Sequence, residues 1–541
     1  MRLAVVAAFA AFTAVAGVWS LPPLDRDESR FAQATAQMLE SRDFVAIRFQ
    51  NEERNRKPVG IHWLQAASVS AFSSAEAREI WAYRLPSVAG AILAAIFTYL
   101  AGARLYGPAT GFLGALLLAA APAVAGESTI AKADAALLGT ICVAQAGLIH
   151  VFARWKEDTP AGWIWPLLFW AALGAAILIK GPIAPMIIGL TAAGLLVRAP
   201  KVGWVLALRP IVGLFILAVM IGPWALAIHQ ATDGRFFTEA LGGDMLGKLA
   251  RAQEGHWGLP GYHTVLVWLL MWPAAALIAP GLVQGFVTRR AWPSWFLLSW
   301  IAPAWLLFEL TATKLPHYTL PLYPALAILA ARAASVGASS RRDGIRRLGA
   351  IANLLVGLFA AGLLVALPIM FADAGLAAAS FGAALLIAAG AALTTYLFWS
   401  GRAYPAGLLA AVLAALVAST LLDSALPRLD RLKVSARLSA ALDADGLHPL
   451  RDDAPPVAIA GYYEPSAVFL LGTETTLTDA VGAAAHLKAP GAAAIVEARL
   501  ENEFVGAAAS LGVRLRRFAS VEGLNYSNGR DVKLTIYQAA P

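Results

Sequence analysis

Apolar stretches long enough to form membrane-spanning helices recur along the first 423 residues of this 541-residue chain. A helical span needs about 20 mostly apolar residues. About thirteen such stretches can be counted, the first at residues 1–24 and the last at 404–423. Only 14% of the residues are charged, whereas soluble domains contain about 25%. The sequence therefore predicts a polytopic α-helical membrane protein and excludes a soluble enzyme, a disordered chain and a secreted disulfide scaffold.

The first apolar stretch has two interpretations, a cleaved signal peptide or a first span. We predict an uncleaved span, because no small-x-small cleavage site precedes Asp25 and many further spans follow. Counting from it, the segments on the N-terminal side of the membrane contain fourteen Lys and Arg residues and three acids. This excess is the positive-inside pattern, so the N-terminus is predicted to be cytoplasmic. The net charge of +8 is thus mainly a topology signal and does not indicate nucleic-acid binding.

Three longer segments lie on the opposite, outer side of the predicted membrane. They are a first loop at residues 25–79, a second loop at about 230–261, and a tail at 424–541. The tail has the pattern of a small α/β domain, with predicted strands at 457–463 and 493–496, a strand pair ending at 532–537, and helices between them. We therefore predict two domains, a transmembrane module at 1–423 and a soluble α/β domain at 424–541.

Ionisable residues beside spans are functional candidates, because a charge in a bilayer is costly. Asp27 and Glu28 open an amphipathic helix in the first loop, whose apolar face includes Phe31 and suits a membrane surface. Acids also simply favour a helix N-terminus. Lys57 precedes an aromatic stretch at headgroup level, where it would either neutralise a phosphate or extend towards water.

Further candidates follow at the outer ends of later spans. Glu127 and Asp134 are seven residues apart, so on a helix they share a face and suit general-base work or the binding of sugar hydroxyls. Asp134 also suits a helix N-cap. Lys180 and Lys314 would each contact an anionic headgroup or extend to the interface.

The second loop carries Arg251, Glu254 and His256 with helical spacing. Glu254 and His256 are weak metal candidates, since two residues do not make a metal site. The sequence contains no P-loop, GxSxG, HExxH or CxxC motif, and its single cysteine, Cys142, lies in an apolar run. The residues alone therefore indicate no required cofactor.

The order of these motifs resembles that of the aminoarabinose transferase-like (ArnT-like) glycosyltransferases, bacterial relatives of the protein O-mannosyltransferases with the GT-C fold. The resemblance rests on Asp27-Glu28-x-Arg30-Phe31, Arg56-Lys57-Pro58, Glu127 to Asp134, Lys180-Gly181-Pro182, Lys314-Leu315-Pro316-x-Tyr318, and, in the tail, Tyr463-Glu464-Pro465-Ser466 and Asn525-Tyr526-Ser527-Asn528-Gly529. Together these motifs extend along nearly the whole chain.

The resemblance implies a sugar donor on undecaprenyl phosphate and an acceptor such as lipid A or another envelope glycan, at the periplasmic face of the bacterial inner membrane. It assigns the two key acidic positions to Asp27 and Asp134, our catalytic candidates, and donor-phosphate contacts to Arg30 and Lys57. We add Lys314 as a third candidate for a donor-phosphate contact. The remaining substrate-binding candidates are Glu28, Glu127, Lys180, Tyr318 and Arg251.

Two positions depart from the family pattern. Phe31 stands where a tyrosine is common, and Arg56 stands where the family often has a glutamate that helps to hold a metal. A divalent metal is therefore doubtful, and aminoarabinose cannot be assumed as the sugar.

The predicted reaction is a single displacement that inverts the anomeric centre, with Asp27 as the first choice of general base and Asp134 as the second. The alternative is a polytopic transporter or flippase. Such a protein is expected to have polar groups near the membrane midplane and pseudo-repeats. Here the polar groups collect on one side and no repeat is visible.

Overall fold

The structure, a computed structural model, describes residues 1–54, 56–240, 258–336, 343–371, 374–451 and 454–540. The chain forms two compact units. The first unit comprises Met1–Val18, Asn55–Ile61 and Arg84–Asp423. The second comprises Trp19–Arg54, His62–Tyr83 and Ser424–Pro541. The tail therefore shares its compact unit with two segments of the first loop.

Apolar helices dominate the chain up to the tail. Eight of them, within the described residues, are long and apolar enough to cross a membrane: Ile80–Tyr106, Asp134–Lys156, Pro210–Ala231, Trp292–Leu310, Pro316–Val336, Arg347–Leu367, Ser380–Trp399 and Ala403–Arg428. A ninth candidate is the pair Pro108–Ala119 and Pro122–Ser128, which is bent by 59°. Shorter apolar helices are Arg2–Ala14, Ile164–Lys180, Ile183–Leu196 and Ala275–Val287. The predicted number of about thirteen is reached only if the bent pair and these four short helices are all counted as spans.

One predicted span is interrupted. The apolar stretch at 262–287 forms two helices, Tyr262–Leu270 and Ala275–Val287, and not a single one. Pro273 lies in the break. Proline has no backbone N–H and clashes with the preceding turn, which accounts for the interruption.

Two glycines bring together the helices Ile80–Tyr106 and Asp134–Lys156. A Cβ atom placed on Gly139 would lie 2.5 Å from the carbonyl oxygen of Gly90, and a Cβ on Gly90 would lie 2.3 Å from that of Ala135. Small residues at such crossings allow two membrane helices to approach closely. This contact holds the N-terminal end of the second helix, where Asp134 is located.

Substituting Gly139→Val is therefore expected to destabilise the protein. Overpacking of a tight contact costs about 1–3 kcal/mol, so the thermal unfolding midpoint in detergent should fall. Gly189→Val is the matched control, because a Cβ at Gly189 would meet no atom within 4 Å. Equal midpoints for the two variants would contradict the close crossing.

The second unit contains two sheets. In the first loop, strand β1 (Arg48–Phe49) pairs antiparallel with β2 (Glu52–Glu53). The tail contains β3 (Val457–Ala460), β4 (Thr476–Thr478), β5 (Ala493–Glu497), β6 (Leu515–Asn525) and β7 (Arg530–Ala539), in the order β4-β3-β5-β7-β6. Strand β3 is parallel to β4 and β5, whereas β7 is antiparallel to both β5 and β6. Strands β3, β5 and β6 therefore run in the same direction and end at the same edge of the sheet.

Helices cover both faces of this tail sheet. Val434–Ala444 and Pro465–Leu471 pack on one face, and Ala480–His486 and Glu501–Ser510 on the other. All four residues of β3 are buried, as is typical of a parallel strand covered on both faces. The predicted α/β pattern of the tail is thus present, but β4 was missed, and the strand predicted at 457–463 already ends at Ala460. Gly461 turns the chain there with a φ of +90°.

In the first loop, the predicted helix begins at Asp27 and extends to Ser41. Phe31 and Met38 are buried inside the second unit, and the Phe31 ring stacks on His62 with 5.3 Å between ring centroids. The apolar face of this helix is therefore used for packing within the unit, whereas the sequence pattern favoured a membrane surface.

Candidate functional site

Five buried charged or polar side chains gather in the first unit. We call them the polar cluster: Glu127, Lys132, Asp134, Lys180 and His317. Their side chains are only 8–17% exposed. Buried charges are costly unless they are paired. A cluster of this kind is thus a candidate for function.

Asp134 is at the centre of the polar cluster. The ammonium group of Lys180 donates a hydrogen bond to its carboxylate, and Lys132 Nζ lies 3.6 Å from Asp134 Oδ2. Nε2 of His317 is 3.7 Å from Asp134 Oδ1. Two ammonium groups and a histidine ring thus surround one carboxylate, and the two positive charges stabilise its ionised form.

Glu127 closes the other side of the cluster. Lys132 Nζ is 3.4 Å from Glu127 Oε2, and His317 Nδ1 is 3.5 Å from Glu127 Oε1. Among the described residues, the Lys132 ammonium faces the buried Oε2 atom, but at a distance longer than that of an ordinary N–H···O hydrogen bond. Its acceptor capacity is therefore available to a hydroxyl group of a ligand.

Irregular backbone between helices positions the cluster. Glu127 lies in Pro122–Ser128, the second helix of the bent pair, and Asp134 begins the helix that follows it. The buried Ser87 hydroxyl donates to the carbonyl oxygens of Ile130 and Lys132, at 2.7 and 3.1 Å, and holds the connecting turn. At membrane depth, such irregular backbone occurs where it is buried in protein or lines a cavity.

Lys57 belongs to the first unit, like the polar cluster, and its charge interacts with His317 of that cluster. The chain around it packs on the end of Ile164–Lys180, since a Cβ on Gly60 would lie 2.6 Å from the backbone carbon of Leu178. The charge of Lys57 acts on His317 together with the charges of Asp134, Lys132 and Lys180. Three lysines thus accompany the two carboxylates, and this excess of positive charge suits an anionic ligand.

Lys314 has a structural role that the sequence did not indicate. Its ammonium group donates to the carbonyl oxygens of Glu309 and Thr311, both at 2.8 Å, and of Phe308 at 3.4 Å. These bonds cap the C-terminal end of the helix Trp292–Leu310. Burial lowers the pKa of Lys314, and the Glu309 carboxylate opposes this shift. Its three donors are directed at carbonyl groups, and the phosphate contact of Lys314 stays a prediction.

Two further predicted site residues, Tyr318 and Glu28, are not members of the polar cluster. Tyr318 packs its ring against Phe308 and His317, with centroid distances of 6.2 and 5.5 Å. Glu28 is buried in the second unit, where its carboxylate accepts a hydrogen bond from the backbone N–H of Leu24 at 2.8 Å. This bond gives Glu28 a structural role, and its substrate contact stays a prediction.

Asp27 and Arg30 also belong to the second unit. Their side chains are 54% and 33% exposed, and Arg30 Nη1 lies 3.9 Å from Asp27 Oδ1. Both are in the first turn of the helix Asp27–Ser41. An acid near a helix N-terminus is stabilised in its charged form by the helix dipole.

The two residues before Asp27 are bound by the tail. Oδ1 of Asp25 accepts a hydrogen bond from the backbone N–H of Ser466 at 2.9 Å, and its Oδ2 accepts one from the Ser466 hydroxyl at 2.6 Å. Arg26 Nε donates to Glu464 Oε2 at 3.2 Å. Glu464 also accepts a bond from Asn525 Nδ2 at 2.8 Å. The tail motifs singled out in the sequence are thus the residues that contact Asp25 and Arg26.

Burial raises the pKa of Asp25 to about 6, although both bonds from Ser466 lower it. The Glu464 charge raises the pKa and the Arg26 charge lowers it. The folded protein therefore holds the Asp25 proton more tightly than the unfolded chain does. The contribution of Asp25 to stability should be largest near pH 4 and should fall as the pH rises through about 6.

Asp25→Asn, which cannot ionise, is expected to lack this pH dependence. The thermal unfolding midpoint of the wild type minus that of the variant should decrease between pH 4 and 7, because charges common to both proteins cancel in the difference. A difference between the two midpoints that stays constant over this pH range would contradict the raised pKa of Asp25.

Some predicted candidates lie outside the described residues, namely Arg251, Glu254 and His256. Among the residues that are described, no group of three or more His, Cys, Asp or Glu side chains is arranged to hold a metal ion. Arg56 stands where the family pattern often has a glutamate, and no step of the proposed reaction is assigned to a metal.

Several residues of these sites were not predicted from the sequence. Lys132 and His317 lie within two of the family-like motifs but were not chosen as site residues. The available signal was their position, two residues before Asp134 and three residues after Lys314. Asp25 and Ser466 could not be linked from sequence, because 441 positions separate them.

Comparison with known proteins agrees with this architecture. Residues 56–226 match the family described as dolichyl-phosphate-mannose-protein mannosyltransferase. The undecaprenyl phosphate-alpha-4-amino-4-deoxy-L-arabinose arabinosyl transferase of Pseudomonas aeruginosa (strain LESB58) is 29% identical over 328 residues, which cover 58% of this chain and 57% of that protein. The transferase of the same name from Yersinia pestis (strain Pestoides F) is 26% identical over 63% of this chain and 60% of its own length. The matches thus span less than two thirds of these relatives.

Solved structures show the same fold. The structure of ArnT from Cupriavidus metallidurans bound to undecaprenyl phosphate has a TM-score of 0.76 at 21% identity and covers 100% of this chain and 98% of that one. The oligosaccharyltransferase of Archaeoglobus fulgidus in its apo form has a TM-score of 0.52 at 14% identity and covers 95% of this chain and 69% of that one. The apolar helices and this shared fold identify a multi-pass membrane protein. In sequence the chain is similar to these arabinosyl transferases, and its fold is that of the ArnT structure.

Proposed function

We propose that the protein is a glycosyltransferase that moves a single sugar from undecaprenyl phosphate to lipid A or another acceptor of the cell envelope. The relatives are named as arabinosyl transferases that use an undecaprenyl phosphate donor. The main observation in support is the polar cluster with Lys57, because three lysines beside two buried carboxylates suit a phosphate that carries a sugar.

The lysines would act on the leaving group. When the bond between sugar C1 and the phosphate oxygen breaks, the electron pair stays on the phosphate, and its negative charge increases. Positive groups fixed in a water-poor site stabilise such a charge without further rearrangement. We assign this role to Lys57, with Lys132 and Lys180 as supporting charges. Lys180 also holds the Asp134 carboxylate.

The carboxylates would bind the sugar and the acceptor. The buried Oε2 atom of Glu127 suits a sugar hydroxyl, and Asp134 suits a second one. If the acceptor is a hydroxyl, its oxygen forms the new bond to C1 and its proton passes to a carboxylate. Asp27 is our first choice for that base and Asp134 the second. A phosphate acceptor is already anionic and needs no base, so Asp27 would then orient it.

Arg30 is proposed as a further phosphate contact on the basis of its family motif, and Tyr318 and Arg251 as substrate contacts on the same basis.

We also propose that the chain spans the bacterial inner membrane thirteen times, with a cytoplasmic N-terminus. The tail and the polar cluster would face the periplasm, where the tail would cover or guide the acceptor. The charge asymmetry of the connecting segments supports this orientation.

The test uses the purified full-length protein in lipid nanodiscs. It is incubated with lipid A and one of several synthetic undecaprenyl phosphate sugars: 4-amino-4-deoxyarabinose, glucose, mannose or galactosamine. Mass spectrometry then follows the release of undecaprenyl phosphate and the mass gain of lipid A. Release coupled to a glycosylated product supports the proposal, and repetition with total envelope lipids identifies a different acceptor. Movement of an intact donor across liposomes without release would favour the flippase alternative.

A further inference from the structure

The carboxyl-terminal edge of the tail sheet is where an α/β domain usually binds a ligand. In the strand order, β4 lies on one side of the neighbouring pair β3 and β5, and β6 lies on the other side. The chain therefore moves in opposite directions along the strand order after β3 and after β5. Ligands of open α/β sheets bind at the point where the connections diverge in this way. In this chain Glu464 and Ser466 lie in the segment that follows β3, and Asn525 is the last residue of β6.

The group bound at this edge is part of the chain itself. Asp25 accepts both hydrogen bonds from Ser466, and its backbone N–H donates to the Tyr526 hydroxyl at 2.7 Å. The neighbouring Arg26 forms an ion pair with Glu464, whose side chain is only 4% exposed. Asn525 donates to the same carboxylate, which prevents Glu464 from turning away from Arg26.

These bonds are one residue away from the helix that carries Asp27 and Arg30. The helix begins at Asp27, so it has no flexible link to Arg26 that could absorb a displacement. Within the same helix, Gln33 donates to the Thr473 hydroxyl at 2.8 Å, and Glu40 accepts from that hydroxyl at 2.7 Å. The tail thus holds both the start of this helix and one of its faces.

We infer that Ser466 and Glu464 are positioning residues, which hold Asp25 and Arg26 and thereby set the orientation of Asp27 and Arg30 for sugar transfer. The inference rests on the proposed function, because it gives the tail a part in the reaction without assigning it a catalytic group. Reacting groups must be held closely, since a displacement of about 1 Å can lower a rate by about 100-fold.

The structure offers a matched pair of variants for the test. Ser466→Ala removes the hydroxyl bond to Asp25 and the bond to the Ser435 hydroxyl. Ser435→Ala also removes the bond between the two serines, together with one to Tyr462, but leaves the Asp25 contact intact. Ser466→Ala is expected to lower kcat by about tenfold. Ser435→Ala should stay close to the wild type, and Ser466→Thr, which keeps the hydroxyl, should restore most of the rate.

A double-mutant cycle separates positioning from a general loss of structure. Ser466→Ala and Asp25→Ala should be strongly non-additive in kcat, because either change breaks the same contact, whereas Ser435→Ala and Asp25→Ala should be additive. Equal kcat values for Ser466→Ala and Ser435→Ala, or an additive cycle for Ser466 and Asp25, would overturn the inference.

A second measurement does not depend on transfer. Hydrogen–deuterium exchange of the full-length protein in detergent should become faster at residues 24–32 in Ser466→Ala but not in Ser435→Ala. If the wild type transfers no sugar from any tested donor, the proposed function fails, and this exchange experiment still tests the positioning. Identical exchange in both variants would then overturn it.

Discussion

Substituting Asp134→Asn is expected to lower sugar transfer by at least about 100-fold, the size of effect seen when one preorganised electrostatic group is removed from an active site. The variant keeps the shape of the side chain but removes the negative charge that Lys180, Lys132 and His317 surround. The two ammonium groups would then repel each other and lose the geometry in which we propose they hold the donor. The rate of undecaprenyl phosphate release in nanodiscs measures the effect.

Loss of folding has to be separated from loss of chemistry in this variant. Breaking a buried ion pair by removing one partner costs about 3–5 kcal/mol, whereas removing both partners is often close to neutral. The Asp134→Asn variant should therefore unfold at a lower temperature, and Asp134→Asn combined with Lys180→Met should recover much of that stability. Transfer should remain low in both proteins. Recovery of transfer together with stability would show that Asp134 has only a structural role.

Asp423→Asn is the matched control for this experiment. Asp423 belongs to the same unit, and its carboxylate accepts bonds from the backbone N–H of Gly17 and from Ser419, outside the polar cluster. Its transfer rate should change by no more than about twofold, as for most substitutions away from a site.

The second large effect is expected for Asp27→Asn, which should lower kcat by about 100-fold or more if Asp27 is the general base. The side chain is 54% exposed, so the variant should fold normally and keep its thermal unfolding midpoint. An asparagine cannot accept the proton of an acceptor hydroxyl, although it still forms hydrogen bonds. The measurement is the transfer rate at saturating donor.

Asp531→Asn serves as the control for Asp27→Asn. Asp531 is a 75% exposed aspartate of the same unit that forms a surface ion pair with Arg431. Its replacement should leave transfer unchanged, because such surface pairs contribute little. Transfer by Asp27→Asn at a rate near that of the wild type would contradict the assignment of Asp27, whatever the acceptor.

Much of this architecture follows from local patterns in the sequence. Apolar runs of helix length predict the helices, because a membrane-spanning helix requires a continuous apolar segment of about 20 residues. The acids at Asp27 and Asp134 mark helix starts, and both helices begin at those residues. In the tail, the order of short apolar strands and helices predicted an α/β domain, and most of these strands and helices are present. The short strand β4 carried too few residues to be recognised.

Contacts between distant parts of the chain could not be obtained in this way. Lys314 looked like an exposed interfacial lysine, but the end of the helix Trp292–Leu310 provides three carbonyl groups that bind its ammonium. His317 joined Glu127 and Asp134 only through folding, since about 190 residues of sequence separate it from Glu127. Periodicity describes which face of a segment is buried, but it contains no information on which other segment covers that face.

The tail shows this division most clearly. Its sequence predicted a separate domain at 424–541, because its composition changes sharply after the last apolar run. The fold places it in one compact unit with two segments of the first loop, through the bonds of Ser466 and Glu464 to Asp25 and Arg26. Single hydrogen bonds and ion pairs leave no periodic trace in a sequence, since each requires only one suitable side chain at each end. The partner of each side chain is therefore set by the tertiary fold, whereas the helices and strands that present them are set locally.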